Sequence, residues 1–463
     1  MNPWLIFVVS VLLLDYLLDV LVALGTLDRL DRKLPSEICD LWNPERLQKS
    51  REYIRTTTRF TLLQNSVATA LLLGFILTGG FNLVDLAARS LELGPIPTGL
   101  VFTGLLLLFS GLLNLPFTIY ATFVIEERFG LNRITVRTFV LDLLKTIFLA
   151  LMLGGPLLAG VLWFFESTGS FAWLYCWLLL IIFVLVVQWL APVVIMPLFN
   201  RFTPLPEGGL KEVIEIYARQ QNFSLQGVYT MDGSRRSSRL NAFFTGFGRF
   251  RRIVFYDTLL DKLQPGEILA VLAHEMGHYK LRHIPKMMLA SMVQTGIMFA
   301  ILSIFIGNQG LFAAFGMEYV SVYASLVFFG FLYAPISTLF SVLFNRVARE
   351  YEFEADAFAV RTTGLAVELI SGLKKLAQAN LTNPDPHPLD VWLHYSHPPL
   401  SERIRALVRI QDTGDPEVSI LDFGRCCLCD RRITLSDRLE NSRRPDLCRW
   451  CLAGEESCGC ADD

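Results

Sequence analysis

Seven long apolar stretches limit what this chain can fold into more than any other feature of its sequence. A bilayer core about 30 Å thick needs roughly 20 mostly apolar residues in a helix. Stretches of that length lie at about 4–24, 61–83, 99–125, 146–165, 172–198, 287–307 and 321–343. Because buried helices of a soluble protein would give shorter apolar runs of about 10–14 residues, we predict seven transmembrane helices.

Composition supports a membrane protein and argues against several other classes. Of the 463 residues, 53% are hydrophobic and 18% are charged, whereas ordinary soluble domains carry about 25% charged residues. This balance excludes intrinsic disorder and collagen-like repeats. A net charge of −2 provides no basic field for nucleic acid, so no such partner is expected. The first stretch is not a cleavable signal peptide, since no basic region precedes it and it contains Asp15 and Asp19.

Basic residues alternate between consecutive loops and so predict the orientation. Segment 25–60 contains eight Lys and Arg residues, whereas loop 84–98 contains only Arg89. Loops 166–171 and 308–320 contain none. Since cytoplasmic loops carry the excess of Lys and Arg, we expect the N-terminus outside. The segments expected in the cytosol are 25–60, 126–145, 199–286 and everything after 344.

The polar segment 199–286 is typical of a small α+β domain. Short aromatic or β-branched runs bounded by Gly, Asp and Ser predict strands at Gly227 to Met231, Asn241 to Phe247 and Arg251 to Tyr256. A helix is expected from about Pro265, with Glu267 suited to its positive end. The residues with the clearest chemistry lie on this predicted helix.

That helix contains AHEMGH, residues 273–278, which matches the pattern H-E-x-x-H. His274 and His278 are four apart, so their imidazoles project from one helix face and can bind a single Zn²⁺. Glu275 lies beside them, where a carboxylate can take a proton from metal-bound water. The alternative is a solvated surface helix, which would leave three ionisable groups in about one turn without a purpose.

Catalytic zinc normally takes three protein ligands, so a third ligand is required. After the seventh apolar stretch, AREYEFEADAFAV (348–360) predicts a helix with four carboxylates. Of these, Glu352 and Asp356 share a face, so one could bind the metal while the other supports a ligand histidine. Spacing alone does not choose among the four, which include Glu350 and Glu354. An acidic face that merely meets water is the alternative.

A proline-rich loop, LHYSHPPLSER (393–403), contains two more histidines, His394 and His397. A histidine in such a loop could donate a hydrogen bond to the oxyanion of a tetrahedral intermediate. Simple solvation of these side chains is the alternative interpretation.

Taken together, these motifs resemble the type I CAAX prenyl endopeptidases, a family of integral-membrane zinc metalloproteases. The resemblance extends from about residue 45 to 408. The segments that carry it are ERLQKSREYIRTTTRF (45–60), YATFVIEERFGLNRIT (120–135), the block 199–260 with MDGSRRSSRLNAFFTGFGRFRRIVFYDTLL, VLAHEMGHYKLRH (271–283), EFEADAF (352–358) and YSHPPLSER (395–403). One local departure is Ala348 before Arg349, where the family often has Ser.

The resemblance implies a role for each matching residue. It makes His274, His278 and Glu352 ligands of a catalytic zinc, Glu275 the general base and acid, Asp356 a support for the ligands, His397 a neighbour of the scissile carbonyl and Arg403 a nearby basic residue. Asn241 would belong to an edge strand on which an extended peptide pairs.

The family fold places the zinc site at the cytosolic side of a water-filled intramembrane chamber. Carboxylates in a membrane helix usually face protein or a water-filled cavity, so we expect Asp15 and Asp19 to face such a chamber, with pairing to a neighbouring helix as the alternative. The implied substrate is a prenylated C-terminal CAAX peptide.

The cysteine-rich end of the chain has no counterpart in that family pattern. Seven of the nine cysteines lie between Cys426 and Cys460. Two C-x2-C pairs separated by eighteen residues predict a four-cysteine structural zinc site. The expected ligands are Cys426, Cys429, Cys448 and Cys451. A redox-active or iron-sulfur site is the alternative, and the tail could bind an unknown protein.

The sequence therefore predicts a mainly α membrane protein, with seven transmembrane helices around a chamber and a small cytosolic α+β zinc metallopeptidase domain. The expected function is hydrolysis of peptide bonds by metal-activated water, with a broad quality-control protease or a silent scaffold as alternatives. A bacterial cytoplasmic membrane is favoured over the endoplasmic reticulum. The expected regions are 1–198 (five transmembrane helices), 199–286 (the HExxH segment), 287–343 (helices six and seven), 344–420 (third ligand and SHPP loop) and 421–463 (the tail).

Overall fold

A computed structural model describes residues 2–34, 38, 42–223, 225–245 and 252–413. The cysteine-rich tail, with Cys426, Cys429, Cys448 and Cys451, lies outside the described residues. The same holds for residues 246–251, which include the end of one predicted strand and the start of another.

Helices dominate the described residues. Their bounds are α1 Pro3–Arg29, α2 Pro44–Leu77, α3 Gly80–Arg89, α4 Pro95–Tyr120, α5 Val136–Leu149, α6 Gly155–Ser167, α7 Ala172–Leu190, α8 Met196–Phe199, α9 Gly209–Gln220, α10 Asp257–Leu260, α11 Pro265–Lys280, α12 His283–Phe305, α13 Gln309–Ala314, α14 Val322–Thr363, α15 Ala366–Ala379, α16 Pro388–His394 and α17 Leu400–Thr413. Short π-helical turns at Ala121–Glu126, Ala150–Gly154 and Ala191–Ile195 extend α4, join α5 to α6 and follow α7.

All seven predicted transmembrane stretches are confirmed as helices that are long and apolar enough to cross a membrane. Their bounds, with the π-helical turns included, are Pro3–Arg29, Pro44–Leu77, Pro95–Glu126, Val136–Ser167, Gly169–Phe199, His283–Phe305 and Val322–Thr363. The second helix ends at Leu77 rather than at the predicted residue 83. It stops there because Gly79 adopts a positive φ of 71° that a continuing helix does not allow.

A four-stranded sheet of order β1-β2-β4-β3 lies between the fifth and sixth of these helices in the sequence. Its strands are β1 Phe202–Pro204, β2 Gly227–Met231, β3 Ala242–Thr245 and β4 Arg252–Tyr256. β2 and β4 are parallel, whereas β1 and β3 pair antiparallel at the two edges. The prediction of β2 is confirmed residue for residue, and β1 was missed because three residues with a terminal proline give no alternating pattern.

The described residues form two main hydrophobic cores. The inner core lies around α11 and includes Tyr217, Phe255, Leu269 and Met276, all fully covered by protein. The second core, called the outer core, joins the transmembrane helices at the ends that lie away from α11. Aromatic side chains are at its centre. Its largest buried side chains include Phe102, Leu162, Phe312, Phe315 and Phe328.

Between the two cores, the transmembrane helices cover little of their own surface. In the seven apolar windows, 0–22% of residues are buried within the protein. A solidly packed bundle would bury one stripe along the whole of each helix. The low buried share in these helices is what we expect where helices surround open space.

One helix connects the two cores. α14 starts among the outer-core side chains at Tyr323 and Phe328 and continues without a break to Glu352 and Asp356 beside α11. The predicted boundary between residues 343 and 344 therefore falls inside a continuous helix. As a result, the membrane domain and the candidate third ligand share one rigid element.

Candidate active site

The sequence of α11 fixes where this helix begins and which face is buried. Gln264 accepts a hydrogen bond from the backbone of Glu267, whose side chain accepts one from the Gln264 backbone at 2.7 Å. This capping box follows the pattern in which two otherwise unpaired amides are satisfied at a helix start. Pro265 occupies the first turn, where its missing N–H costs nothing.

A close approach between α11 and α14 brings the candidate ligands together. A Cβ on Gly277 would lie 3.0 Å from Cα of Ala355 and 3.2 Å from its carbonyl oxygen. Only glycine leaves room for the two backbones at this separation. His274 and His278 on α11 therefore face Glu352 on α14.

Three side-chain atoms converge between these helices. Nε2 of His274 lies 3.3 Å from Nε2 of His278, which lies 3.2 Å from Oε1 of Glu352. The other carboxylate oxygen, Oε2, is 3.5 Å from Nε2 of His274. His274 and Glu352 are both buried, and His278 is partly covered. Among the described residues, these three are the group of metal-binding side chains whose ligand atoms lie close enough to hold one ion.

The geometry and chemistry of this cluster fit zinc. Four tetrahedral ligands at 2.0–2.2 Å from the metal place neighbouring ligand atoms roughly 3.3–3.6 Å apart, which is close to the observed separations. Oε2 of Glu352 is buried without a hydrogen-bond partner in the described part of the chain, although Nη1 of Arg403 lies 3.1 Å away. A cation would satisfy that oxygen, so the donor set of two imidazoles and one carboxylate suits a catalytic zinc.

Asp356 and Arg403 support His274 from behind. Oδ1 of Asp356 lies 2.8 Å from Nδ1 of His274, and the Arg403 guanidinium donates to both oxygens of that carboxylate at 2.8 and 2.6 Å. Asp356 is 1% exposed and Arg403 is 8% exposed. Charges this deeply buried require partners, and here each has one.

The same contacts shift the pKa values of His274 and Arg403. Burial lowers the pKa of the His274 imidazole, but the adjacent Asp356 carboxylate raises it by more, so the pKa lies above its ordinary value. Burial also lowers the pKa of Arg403, yet Asp356, Glu352 and Glu275 together raise it. Arg403 therefore stays charged, and Nδ1 of His274 carries the proton that it donates to Asp356.

The structure gives each of the four carboxylates of α14 a different place, which spacing alone could not decide. Glu350 pairs at the surface with Arg346, its Oε1 3.4 Å from Nε. Glu352 faces the two histidines, Asp356 contacts His274, and Glu354 lies 2.9 Å from His283.

The remaining predicted site residues are His397, Glu275 and Asn241, of which His397 contacts the cluster. Nε2 of His397 is 3.3 Å from Oε1 of Glu352, and its side chain is 67% exposed. Glu275 is partly exposed and lies close enough to Arg403 to raise the pKa of that guanidinium. Asn241 immediately precedes β3, and its side chain accepts a hydrogen bond from the backbone of Ala242 at 2.9 Å.

His394 lies apart from the metal-binding cluster. It contacts Asp390 at 2.9 Å and lines a polar cavity of about 470 Å³ between α1, α2 and α16. Asp19 lines the same cavity and accepts a hydrogen bond from Asn65 at 2.9 Å. Asp15 is exposed one turn earlier in α1.

An apolar cavity of about 440 Å³ lies next to the polar one along α2. Gln64 in α2 donates a hydrogen bond to Asn114 in α4 at 3.2 Å, and both side chains line the apolar cavity. The apolar residues at its sides include Ala68, Leu71, Phe75, Leu113 and Phe331. A cavity of this size and lining is typical of small-ligand sites.

Sequence reasoning assigned no role to His283 and named Glu354 only as one of four candidate carboxylates. His283 follows His278 by five residues in AHEMGHYKLRH, a second histidine spacing that could have drawn attention to it. Its position depends on the turn between α11 and α12, where Arg282 has a φ of 57°. That turn gives no clear signal in the sequence.

Seven membrane helices joined to a domain in which two histidines and a glutamate converge define a membrane-embedded metallopeptidase. Residues 26–201 match the description "CAAX prenyl protease N-terminal, five membrane helices", and residues 204–411 match peptidase family M48. The chain belongs to the CAAX prenyl protease 1 family within peptidase family M48, whose members are zinc metalloendopeptidases. The resemblance found in the sequence is thereby confirmed.

Relatives with this architecture are found in plants and fungi. CAAX prenyl protease 1 homolog of Arabidopsis thaliana is 36% identical over 414 residues, which cover 88% of this chain and 97% of that protein. CAAX prenyl protease 1 of Saccharomyces cerevisiae is 34% identical over 408 residues, which cover 81% and 89%. The crystal structure of S. mikatae Ste24p has a TM-score of 0.82 at 32% identity and covers 88% of this chain and 99% of that one.

Proposed function

We propose that this protein cleaves the C-terminal CAAX segment of prenylated peptides. The convergence of His274, His278 and Glu352 at tetrahedral separations is the observation that carries the peptidase activity. The substrate follows from relatives that are called CAAX prenyl proteases.

In the proposed mechanism, His274, His278 and Glu352 would hold zinc. When bound, zinc supplies Lewis-acid chemistry that activates water and polarises the scissile carbonyl. Asp356 and Arg403 keep His274 in the tautomer whose Nε2 is free to bind. Glu352 faces the position of the zinc, and its charge is balanced by Arg403, whose Nη1 lies 3.1 Å from Oε2.

In this proposal Glu275 transfers the proton, and His397 stabilises the oxyanion. The Glu275 carboxylate accepts a proton from the attacking water and returns it to the leaving amine, a role that suits a group with access to solvent. His397 projects into solvent beside Glu352, where its Nε2 can donate to the oxyanion that forms on the substrate.

The peptide itself would pair with β3. Among the described residues, β3 is an edge strand of the sheet and pairs with β4 alone, so its other side can accept an extended chain. Asn241 begins this edge. Main-chain pairing of this kind reads few side chains, which allows substrates of varied sequence.

The lipid group of the substrate would lie in the apolar cavity between α2, α4 and α14. Its polar end, at Gln64 and Asn114, adjoins the polar cavity on α2, which His394 and Tyr395 also line. His397 follows two residues after Tyr395. In this proposal the lipid occupies the apolar cavity, which suits an isoprenoid chain, while the peptide end of the substrate reaches the zinc site.

The orientation of the protein and the identity of its membrane also remain proposals. The alternation of basic loops supports a cytosolic zinc site and an external N-terminus. The tail favours a bacterial membrane, whereas the relatives named above are eukaryotic, which supports the endoplasmic reticulum. Immunolocalisation in the source organism would decide between the two.

The proposal keeps the region boundaries predicted from the sequence. It also includes a four-cysteine zinc site in the tail and a role for the tail in binding an unknown protein. Two C-x2-C pairs support the second metal. Zinc analysis of the full chain should give two equivalents, and a variant with Cys426→Ser and Cys429→Ser should give one. Iron with inorganic sulfide in the protein would contradict the tail proposal.

Replacement of Glu275 tests the proposed activity directly. Full-length protein should release the last three residues of a prenylated CAAX peptide, and Glu275→Gln should lower kcat by about 10²–10⁴-fold while one catalytic zinc stays bound. Undiminished cleavage by that variant would refute the mechanism. Equal cleavage of unrelated membrane proteins would favour a quality-control protease, and inactive wild-type protein would favour a scaffold.

A further inference from the structure

His283 is a buried histidine next to the proposed zinc site that the mechanism above does not use. It is 2% exposed and is the first residue of α12, directly after the tight turn that ends α11. Its ring stacks on that of Tyr351 with centroids 4.0 Å apart and an interplanar angle of 2°. The turn and the stacked ring hold its imidazole in one plane.

Both ring nitrogens of His283 have partners. Nδ1 lies 3.1 Å from Nδ1 of His278, and Nε2 lies 2.9 Å from Oε2 of Glu354. The side chain of Glu354 is 53% exposed. The three residues thus form a chain from one proposed zinc ligand to a carboxylate at the surface.

The chemistry of imidazole sets the direction of these hydrogen bonds. Nε2 of His278 faces Glu352 and His274, so zinc would take its lone pair and leave the proton on Nδ1. Nδ1 of His283 must then accept that proton's hydrogen bond, which leaves its own proton on Nε2. Glu354 accepts from Nε2 and thereby stabilises this tautomer.

We propose that His283 is a positioning residue for zinc, which acts through His278 and is itself held by Glu354. The two ligand histidines are therefore supported in different ways: His274 contacts the buried Asp356 directly, whereas His278 reaches a surface carboxylate through a neutral histidine. Partners of this kind orient a ligand ring and raise its basicity.

The proposal rests on zinc binding by His274, His278 and Glu352, and zinc affinity of the full-length protein is its first test. Affinity would be measured by competition with a chromophoric chelator. Loss of the acceptor in His283→Leu should weaken zinc binding by about 10–100-fold. His283→Asn and His283→Gln each keep a carbonyl acceptor, and the better placed of the two should recover most of the loss.

A matched pair on α14 tests the outer end of the chain without a change at His283. Glu354→Leu should weaken zinc binding severalfold, whereas Glu350→Leu, one turn earlier and paired with Arg346 at the surface, should leave it unchanged. This pair keeps the test valid if His283→Leu does not fold.

Each outcome is informative. Wild-type protein without zinc would refute the proposed function itself. Wild-type protein with zinc, together with Glu354→Leu equal to Glu350→Leu, would overturn the inference alone. The same holds if folded His283→Leu binds zinc like the wild type, or if neither amide variant improves on leucine, since His283 would then only fill space.

Discussion

The two ends of α14 contrast in what surrounds them. At the outer end, Tyr323 and Phe328 lie in an aromatic core, and few residues of the transmembrane helices are buried within the protein. At the inner end, Glu352 and Asp356 are buried and surrounded by charged or polar partners. A membrane wall needs only enough contact to hold its shape, whereas a metal site needs each ligand fixed within a few tenths of an ångström.

At each end of α14, a buried aspartate pairs with an arginine. At the outer end, the fully buried Asp85 accepts from Tyr323 at 2.5 Å and from Arg89 at 2.8 Å. At the inner end, Asp356 accepts from Arg403. If the contrast is correct, loss of the outer pair affects stability alone, and loss of the inner pair affects both stability and the metal.

The largest effect is expected from Arg403→Leu. The change leaves Asp356 and Glu352 buried without their shared counter-charge, which should cost about 3–5 kcal/mol of unfolding free energy. Zinc affinity should fall as well, because His274 loses the support of a fixed Asp356. Thermal unfolding in detergent and chelator competition would measure the two effects. Arg346→Leu, at an exposed pair, is the control and should change stability by less than about 1 kcal/mol.

A smaller effect on stability alone is expected from Asp85→Leu. The Arg89 side chain is 33% exposed and can be solvated after the change, so the cost should be about 1–3 kcal/mol. In protein that remains folded, kcat and zinc affinity should match the wild type. A loss of zinc by this variant would mean that the two ends of α14 are coupled, and the contrast drawn above would fail.

Glu267→Gln should reveal a pH-dependent contribution from the start of α11. Burial raises the pKa of Glu267, but Lys375, Ser371 and the Gln264 backbone lower it by more, so the pKa is below its ordinary value of 4.5. The carboxylate therefore stabilises the fold fully above about pH 4.5, and this contribution is lost as pH falls through the folded pKa. At pH 7 the free energy of unfolding of the wild type should exceed that of the variant by about 1–2 kcal/mol.

The measurement is the difference in unfolding temperature between wild type and Glu267→Gln from pH 7 to pH 3.5. That difference should narrow at the acid end. A constant or growing difference would contradict the assignment of a lowered pKa.

The smallest effect is expected in the membrane wall, from Ala68→Trp. An indole at this position would occupy the apolar cavity and should raise KM about tenfold for a prenylated peptide, since several buried methylene groups lose their contacts. The KM for the same peptide without its lipid should not change. Ala70→Trp, on the opposite face of α2 and outside the cavities described above, is the matched control. Equal KM values for the two variants would exclude this cavity as the lipid site.

Local patterns in the sequence were sufficient for most of the fold and for the core of the site. Apolar length marked all seven transmembrane helices, since bilayer thickness alone determines that length. The spacing of His274 and His278 marked a metal-binding face because helix geometry is local. The bounds of β2 followed from its residue types, whereas β1 was too short to be recognised.

Contacts between distant segments were less accessible. The sequence offered four carboxylates on one helix, and only their approach to α11 separates Glu352 from Glu350, Glu354 and Asp356. Family resemblance selected Glu352, while spacing could not. The spacing of His278 and His283 did not predict that their rings would contact each other, because that contact depends on a tight turn at Arg282.

The sequence by itself determined that this is a seven-helix membrane protein with a metal-binding H-E-x-x-H helix, since hydrophobic length and helical spacing are properties of contiguous residues. Spacing left the third ligand open, and the tertiary structure shows which carboxylate faces the two histidines, which groups support each of them and where cavities lie along α2. Those features depend on contacts between distant segments, such as the close approach of α11 and α14 at Gly277 and Ala355.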